Sequence, residues 1–278
     1  MTRLLIVGGL TIDRFADGTS APGGAVIHSG RAAIAEDAEV TILTVAGDEP
    51  EAAIGLRELS ELGNLIHQRA PSTVTFGHDE IDGRRVLTYL AGTGPIDPPL
   101  LTDPPEAALL APIADELPAG AILAVRDAAR PRVTVILIQG WLRRLRIGDL
   151  VRPVGLDEVP PATWEAFAAA DAAVVSTEDL AEASRDPFDA IRRLRERLGR
   201  RPIVVLTLGQ GGYVLDDPSA DRAVERAPGR VVEGVPTVGA GDTFGVALAI
   251  QLARGDGAAA AATAATDRVI RMLEGRRS

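Results

Sequence analysis

With 278 residues, 46% of them apolar, and no cysteine, the chain can bury a large core without staples, and disulfides, thiolate metal sites and cysteine nucleophiles are all excluded. A formal charge of -10 disfavours a nucleic-acid backbone or an anionic membrane surface and favours a small-molecule partner. All 29 basic residues are arginine, so there is no lysine for a Schiff base or a Walker P-loop, and any nucleoside triphosphate would need a different phosphate cradle.

The opening MTRLLIVGGLTID carries one arginine and an apolar run that Gly8 and Gly9 interrupt, too short for a signal segment or a membrane span. It reads as a first buried strand. Apolar, β-branched runs recur at Leu4 to Val7 in that strand and then at Val40 to Val45, Ala121 to Val125, Val133 to Ile138, Ala172 to Val175 and Ile203 to Leu206. Continuous hydrophobicity suits strands buried on both faces. Between them, Gly23 to Glu36, Glu49 to Leu62, Pro161 to Ala170 and Asp186 to Leu198 have helical composition. The alternation predicts an α/β fold, a mostly parallel sheet sandwiched by helices.

One stretch breaks the alternation. TVTFGHDEIDGRRVLTYL, Thr73 to Leu90, reads as a hairpin turning at Asp82-Gly83. It is a candidate small β lid, with segments around 12–21 and 73–92, or else an ordinary surface hairpin. The Pro- and Gly-rich run from Gly92 to Pro105 reads as the loop leaving it. Asp242 to Ala253 and Gly257 to Leu273 read as two closing helices, with Arg276 and Arg277 expected to fray into solvent.

The most informative segment is VPTVGAGDTFGVALA, Val235 to Ala249. Gly239-Ala240-Gly241 is a small-residue turn into a helix that starts near Asp242, and such a turn leaves backbone N–H groups pointing outward along the helix axis. Those donors and the helix dipole make an anion hole. Asp242 beside it is placed to take a proton from a hydroxyl as a phosphoryl group arrives, although an acid there would serve equally as a helix cap.

VGAGDTF at this position resembles the signature of the ribokinase/phosphofructokinase-B family of carbohydrate kinases, and the resemblance covers nearly the whole chain. VGGLTID looks like that family's opening strand, which implies that Asp13 reaches the substrate hydroxyls. GGAVIHSGRAA is similar to its Gly-Gly motif, which places Gly23, Gly24 and His28 against the substrate. VLTLGQGGYVL looks like its nucleotide-site strand and turn, with Thr207, Gly209 and Gly212 near the ATP. The resemblance gives Asp242 the catalytic role, gives Gly239, Ala240 and Gly241 the anion hole, and implies a ribokinase-like α/β fold, a doubly wound, mostly parallel sheet flanked by helices in a single domain over 1–278 with a small β lid.

Three positions depart from the pattern. The acid that usually opens the signature is Pro236, the usual Asn after the Gly-Gly pair is His28, and the usual Asn-x-x-Glu is Ser176-Thr177-Glu178-Asp179. Ser176 can still donate a hydrogen bond at a nucleotide site. Asp179 still offers Mg²⁺ a carboxylate, with Glu178 as the alternative ligand and a plain helix-start acid as the other reading of both. His28 reads equally as a substrate contact or as a packed core residue. No zinc-ligand spacing joins the histidines.

ILIQGWLRRL, Ile136 to Leu145, ends a strand with Gln139, Trp141 and Arg143, where open α/β sheets bind ligands. It resembles a sequence in the family's inositol-kinase-like branch, which points to myo-inositol or a related polyol or sugar as acceptor, with ATP and Mg²⁺ as cofactors. Trp141 and Arg143 would also fit a packed aromatic and a solvated charge. Only 3% of residues are aromatic, which weighs against a nucleoside acceptor. A catalytically degenerate kinase acting as a sensor is the other reading. A dinucleotide-binding oxidoreductase is disfavoured because VGGLTID lacks the Gly-x-Gly-x-x-Gly spacing. The resemblance admits a homodimer through the lid, and the composition suits a cytoplasmic protein with neither nucleic-acid nor membrane partners.

Overall fold

The computed structural model describes residues 1–81, 84–98, 101–180, 186–220 and 225–277, without the side chains of Arg84 and Arg85. The expected Asp82-Gly83 turn lies outside the described residues. In chain order, β1 (Arg3–Gly8), β2 (Thr11–Phe15) and β3 (Ser20–Gly23) precede α1 (Ala25–Ile34), β4 (Glu39–Ala46), α2 (Pro50–Leu62) and β5 (Asn64–Arg69). β6 (Val74–Ile81), β7 (Arg84–Ala91), β8 (Ala107–Ala111), α3 (Ala121–Ala129) and β9 (Val133–Leu137) follow. The short strands β10 (Arg143–Arg144) and β11 (Arg152–Pro153) lead to α4 (Pro161–Phe167), β12 (Ala172–Ser176) and α5 (Pro187–Leu198). The chain closes with β13 (Ile203–Thr207), β14 (Tyr213–Asp216), β15 (Glu225–Ala227), α6 (Ala240–Arg254) and α7 (Ala258–Glu274).

Among the described residues the main sheet has nine strands in the order β15-β14-β13-β12-β9-β8-β1-β4-β5. It is parallel from β5 to β13, with β14 and β15 antiparallel at one edge. Alternate residues of each buried strand feed two cores: Leu4 and Ile6 pack with α1, α6 and α7, while Leu5 and Val7 pack with α3, α4 and α5. The chain leaves β1 toward β4 on one side and reaches β8 on the other, which makes the crevice beyond Gly8 the switch point where such sheets bind ligands. A smaller sheet, β3-β2-β6-β7, begins just beyond that end of β1, and its antiparallel pair β6-β7 covers the stretch read as two strands.

Two expectations fail. Ala121 to Val125 is the start of helix α3, not a strand, because Ile122 and Val125 are buried while Leu123 is 48% exposed, a helical rather than a two-faced pattern. The strand in that region is β8, whose sequence AALLA is buried at every residue. Arg276 and Arg277 do not fray: Arg276 donates to the Pro236 carbonyl at 2.5 Å and Arg277 to that of Glu233 at 2.9 Å. Among the described residues no helix is long and apolar enough to cross a membrane.

Candidate active site

α6 brings Asp242 to the switch point because Gly245, one turn further on, lets the helix lie against the sheet. A Cβ there would come within 2.6 Å of Leu137 Cδ2. The helix starts two residues earlier than the pattern suggests, at Ala240, with Gly239 as its cap at φ +81°, a left-handed conformation that favours glycine. The Ala240 N–H is engaged by the Thr237 carbonyl at 3.0 Å, so of the expected three donors it is already taken. Gly241 faces open space, with nothing within 4 Å of where a Cβ would stand. Its N–H lies in the first turn, where no helical carbonyl four residues back exists to receive it.

Asp242 is buried, and its Oδ1 has no hydrogen-bond partner among the described residues. Burial, above all, pushes its carboxyl up to about 7; the Asp179 charge adds to this, while Arg143 and the residue's own backbone N–H oppose it. Arg143 is held by the Ile113 carbonyl at 3.0 Å. Burial lowers its pKa, against the fields of Asp179, Glu116 and Asp242, which favour the charged form. Asp179 is also pushed up by burial, with Arg143 and the Ser176 N–H opposing. Its Oδ2 accepts that N–H at 3.2 Å, and Ser176 Oγ accepts from Glu178 N, a reciprocal cap that turns Asp179 inward and leaves Glu178 exposed. Arg143, Asp179 and Asp242 thus form one electrostatic cluster.

The small sheet and α1 carry the second group. Gly23 packs so closely on Asp13 that a Cβ would lie 2.5 Å from its Oδ2, and Gly24 at φ +99° would strike the Gly9 carbonyl at 2.4 Å. Asp13 Oδ1 accepts from Thr11 Oγ1 at 3.2 Å and lies 3.1 Å from His78 Nε2. His28, half-buried on α1, packs on Gly239; burial and then Arg31 and Arg276 lower its pKa, while Asp13 opposes. Gln139 is half-buried in the turn after β9. Trp141 packs on Phe167 at 5.0 Å between ring centres and donates to the Leu117 carbonyl, a structural role.

Thr207 pairs in register with Ser176 and donates to the Val175 carbonyl at 3.4 Å. Beyond it, Gly209 at φ +56° faces open space, but Gly212 is closed in, since a Cβ would meet the Ala227 carbonyl at 2.1 Å. Gly212 thus packs against the backbone of Ala227 to Gly229. Beside it lies a cavity of about 370 Å³, walled by Tyr213, Pro228, Gly229, Arg230 and, from α7, Thr266 and Ile270.

Sequence reasoning missed Glu116, which is fully buried. Its Oε1 accepts the N–H groups of Gly9 (2.9 Å) and Ile113 (2.7 Å), and its Oε2 accepts that of Ala114 (2.9 Å), fixing the two loops that flank the switch point. Burial raises its pKa against the pull of these N–H donors. Nothing in ADELP, the local sequence, distinguishes it from a solvated acid.

A sheet wound in this way, with a small second sheet following its switch point and a buried acid at a helix start beside a Gly-Ala-Gly turn, defines an α/β protein with a candidate ligand site at that switch point. The model of the pfkB family of carbohydrate kinases matches residues 129–267, half of the chain. The chain belongs to that family. Its fold is shared with a pyrophosphate-dependent kinase in the ribokinase family, complexed with a pyrophosphate analogue and myo-inositol (15% identity, 95% of this chain and 92% of that one, TM-score 0.71). Fructokinase from Vibrio cholerae (20%, 99% of each chain, 0.70) and ribokinase from Thermotoga maritima (18%, 96% and 91%, 0.66) also share it. No curated protein sequence matches the chain significantly.

Proposed function

We propose that the protein is a kinase that transfers the γ-phosphoryl group of ATP to a hydroxyl of a small sugar or polyol, with myo-inositol or a close relative favoured. The observation that carries this reading is Asp242: a buried carboxyl with an unpartnered oxygen and a pKa near 7, at a helix start whose Gly241 faces open space. Such a group is ionised often enough at neutral pH to accept a proton and basic enough to take one. The acceptor hydroxyl gives its proton to Asp242 as its oxygen bonds to the γ-phosphorus. The bond from that phosphorus to the bridging oxygen breaks, and ADP leaves. The Gly241 N–H and the helix dipole meet the charge on the transferring group. Gly239 and Ala240 shape the turn, while Asp13, Gly23, Gly24, His28, Gln139 and Arg143 surround the acceptor.

Among the described residues no three acids or histidines gather into a metal cage. The inward acids Asp179 and Asp242 nevertheless fit a Mg²⁺ ion that takes most of its ligands from phosphates and water. When bound, that ion neutralises charge between the phosphates. Ser176, Thr207, Gly209 and Gly212 would border the nucleotide, and the cavity beside Gly212 offers room for part of it. The small sheet would act as the lid. A homodimer through that lid would use β3 or an exposed face, since β7 already exchanges backbone bonds with 148–151. A cytoplasmic location suits an ATP-dependent enzyme without cysteine.

The test is a screen of sugars, polyols and nucleosides with Mg-ATP, scored by ADP release, with pyrophosphate as a second donor because three structural neighbours are pyrophosphate-dependent. Turnover with a cyclic polyol is expected. Binding without turnover for every acceptor and both donors would replace this reading by the sensor.

A further inference from the structure

We infer that Arg276 and Arg277 form a latch on the segment that enters the Gly-Ala-Gly turn, and that Arg276 is a positioning residue for the start of α6. The effect on rate rests on the kinase reading above; the latch itself rests on geometry alone. Between β15 and α6 the chain runs without helix or strand from 228 to 238, so its carbonyls have no ladder to join. Side chains from beyond the end of α7 supply their partners. Arg276 Nη1 donates to the Pro236 carbonyl at 2.5 Å, and Arg277 donates to that of Glu233 twice, from Nε at 3.2 Å and Nη2 at 2.9 Å. An ion pair of Arg230 with Glu274 at 2.9 Å joins the beginning of the same segment to the last residue of α7. The segment is therefore fastened to one helix end at three points before it reaches Gly239.

The latch reaches the site in two ways. Pro236 lies three residues before Gly239, and the Thr237 carbonyl between them holds the Ala240 N–H. A shift of Pro236 therefore passes directly into the turn that aims the Gly241 donor. Arg276 also stands near enough to His28, the side chain packed on Gly239, for its charge to disfavour the imidazolium, together with Arg31 and against Asp13. Pro236 offers a carbonyl but neither an N–H nor a carboxylate, so the only polar partner it presents to Arg276 is that oxygen. Charge-assisted bonds to carbonyls are about twice as strong as neutral ones, and donors aimed at a transition state lose most of their value when misplaced by about 1 Å.

The experiment compares the full chain with Arg276→Ala, Arg276→Lys and the double variant Arg276→Ala/Arg277→Ala by amide hydrogen exchange. Exchange across 233–243 should quicken about tenfold or more in the double variant, less in Arg276→Lys, and not at all in β13. With Mg-ATP and myo-inositol, kcat should fall in Arg276→Ala while the acceptor KM holds. Millimolar guanidinium ion should restore part of both the protection and the rate, as it would not for a residue that only stabilises the fold. Unchanged exchange in 233–243, or an equal rise throughout the chain, overturns the latch. Local loosening with an unaltered kcat overturns the positioning role. If the parent transfers phosphate to no acceptor, the functional reading fails, and exchange with its guanidinium rescue still decides the latch.

Discussion

The imidazole of His28 fills the space that a Cβ on Gly239 would need, with its Cγ and Nδ1 each 2.8 Å from that point. Helix α1 and the turn before α6 are thus fitted to each other through a missing side chain. Gly239→Ala is expected to lower stability by about 1–2 kcal/mol through its left-handed backbone alone, and further by displacing His28. Thermal unfolding checks it. Adding His28→Ala to the variant should return the steric part of the loss and leave the backbone part. A single variant that melts like the parent would show that the turn relaxes freely.

Much of this was legible in the sequence, and the omissions have physical causes. The strands from Leu4, Val40, Val133, Ala172 and Ile203 were readable because burial on both faces demands unbroken apolar runs. Ala121 to Val125 misled because a short apolar run is the same in a strand and in a half-buried helix; only the exposure of Leu123 separates them. Asp242 and the Gly-Ala-Gly turn could be found because they are adjacent in the chain. The Arg143, Asp179 and Asp242 cluster could be listed only as separate candidates, since strand order brings them together. Glu116 and the Arg276 latch were invisible, because their partners are backbone atoms of distant loops and backbone atoms carry no sequence signal.

Asp242→Asn should keep the fold and lower turnover by at least ~10², since the amide cannot accept a proton. Its effect on stability should depend on pH. The folded acid holds its proton up to about 7, against an ordinary value of 3.8, so between these limits the native chain binds more protons than the unfolded one. The contribution of Asp242 to stability is therefore greatest at low pH and declines as pH rises through that window. The melting temperature of Asp242→Asn minus that of the parent should grow from about pH 5 to about pH 8. A constant difference would show that burial does not raise this carboxyl.

Glu116→Gln tests the switch-point anchor. The carboxylate accepts three backbone N–H groups, whereas a glutamine must turn its own NH₂ toward at least one of them. A loss of about 1.5–3 kcal/mol per spoiled charge-assisted bond is expected in chemical denaturation, with acceptor affinity weakened because Gly9 precedes the strand that carries Asp13. Stability and affinity close to those of the parent would mean that Glu116 is already protonated and held as a neutral acid.

With proline at 236 and serine at 176, the proposed Mg²⁺ site draws on Asp179 beside Asp242. The Oδ2 of Asp179 caps Ser176, and its carboxyl group shares the field of Arg143 with Asp242. Phosphoryl transfer requires charge between the β- and γ-phosphates to be neutralised, and a chain without lysine must do this with arginine, backbone donors and Mg²⁺. Asp179→Asn preserves the cap, because the amide oxygen can still accept the Ser176 N–H, but it removes the charge that would hold metal-bound water. The free Mg²⁺ giving half-maximal rate should therefore rise by about 10- to 100-fold, with acceptor affinity spared. Initial rates against free Mg²⁺ at saturating ATP, for parent and variant, make the comparison. Superimposable curves would take Asp179 out of the metal site and leave its cap on the turn after β12 as its whole role. The exposed Glu178 would then be the remaining acid on that turn, and Glu178→Gln the next variant to shift the Mg²⁺ curve.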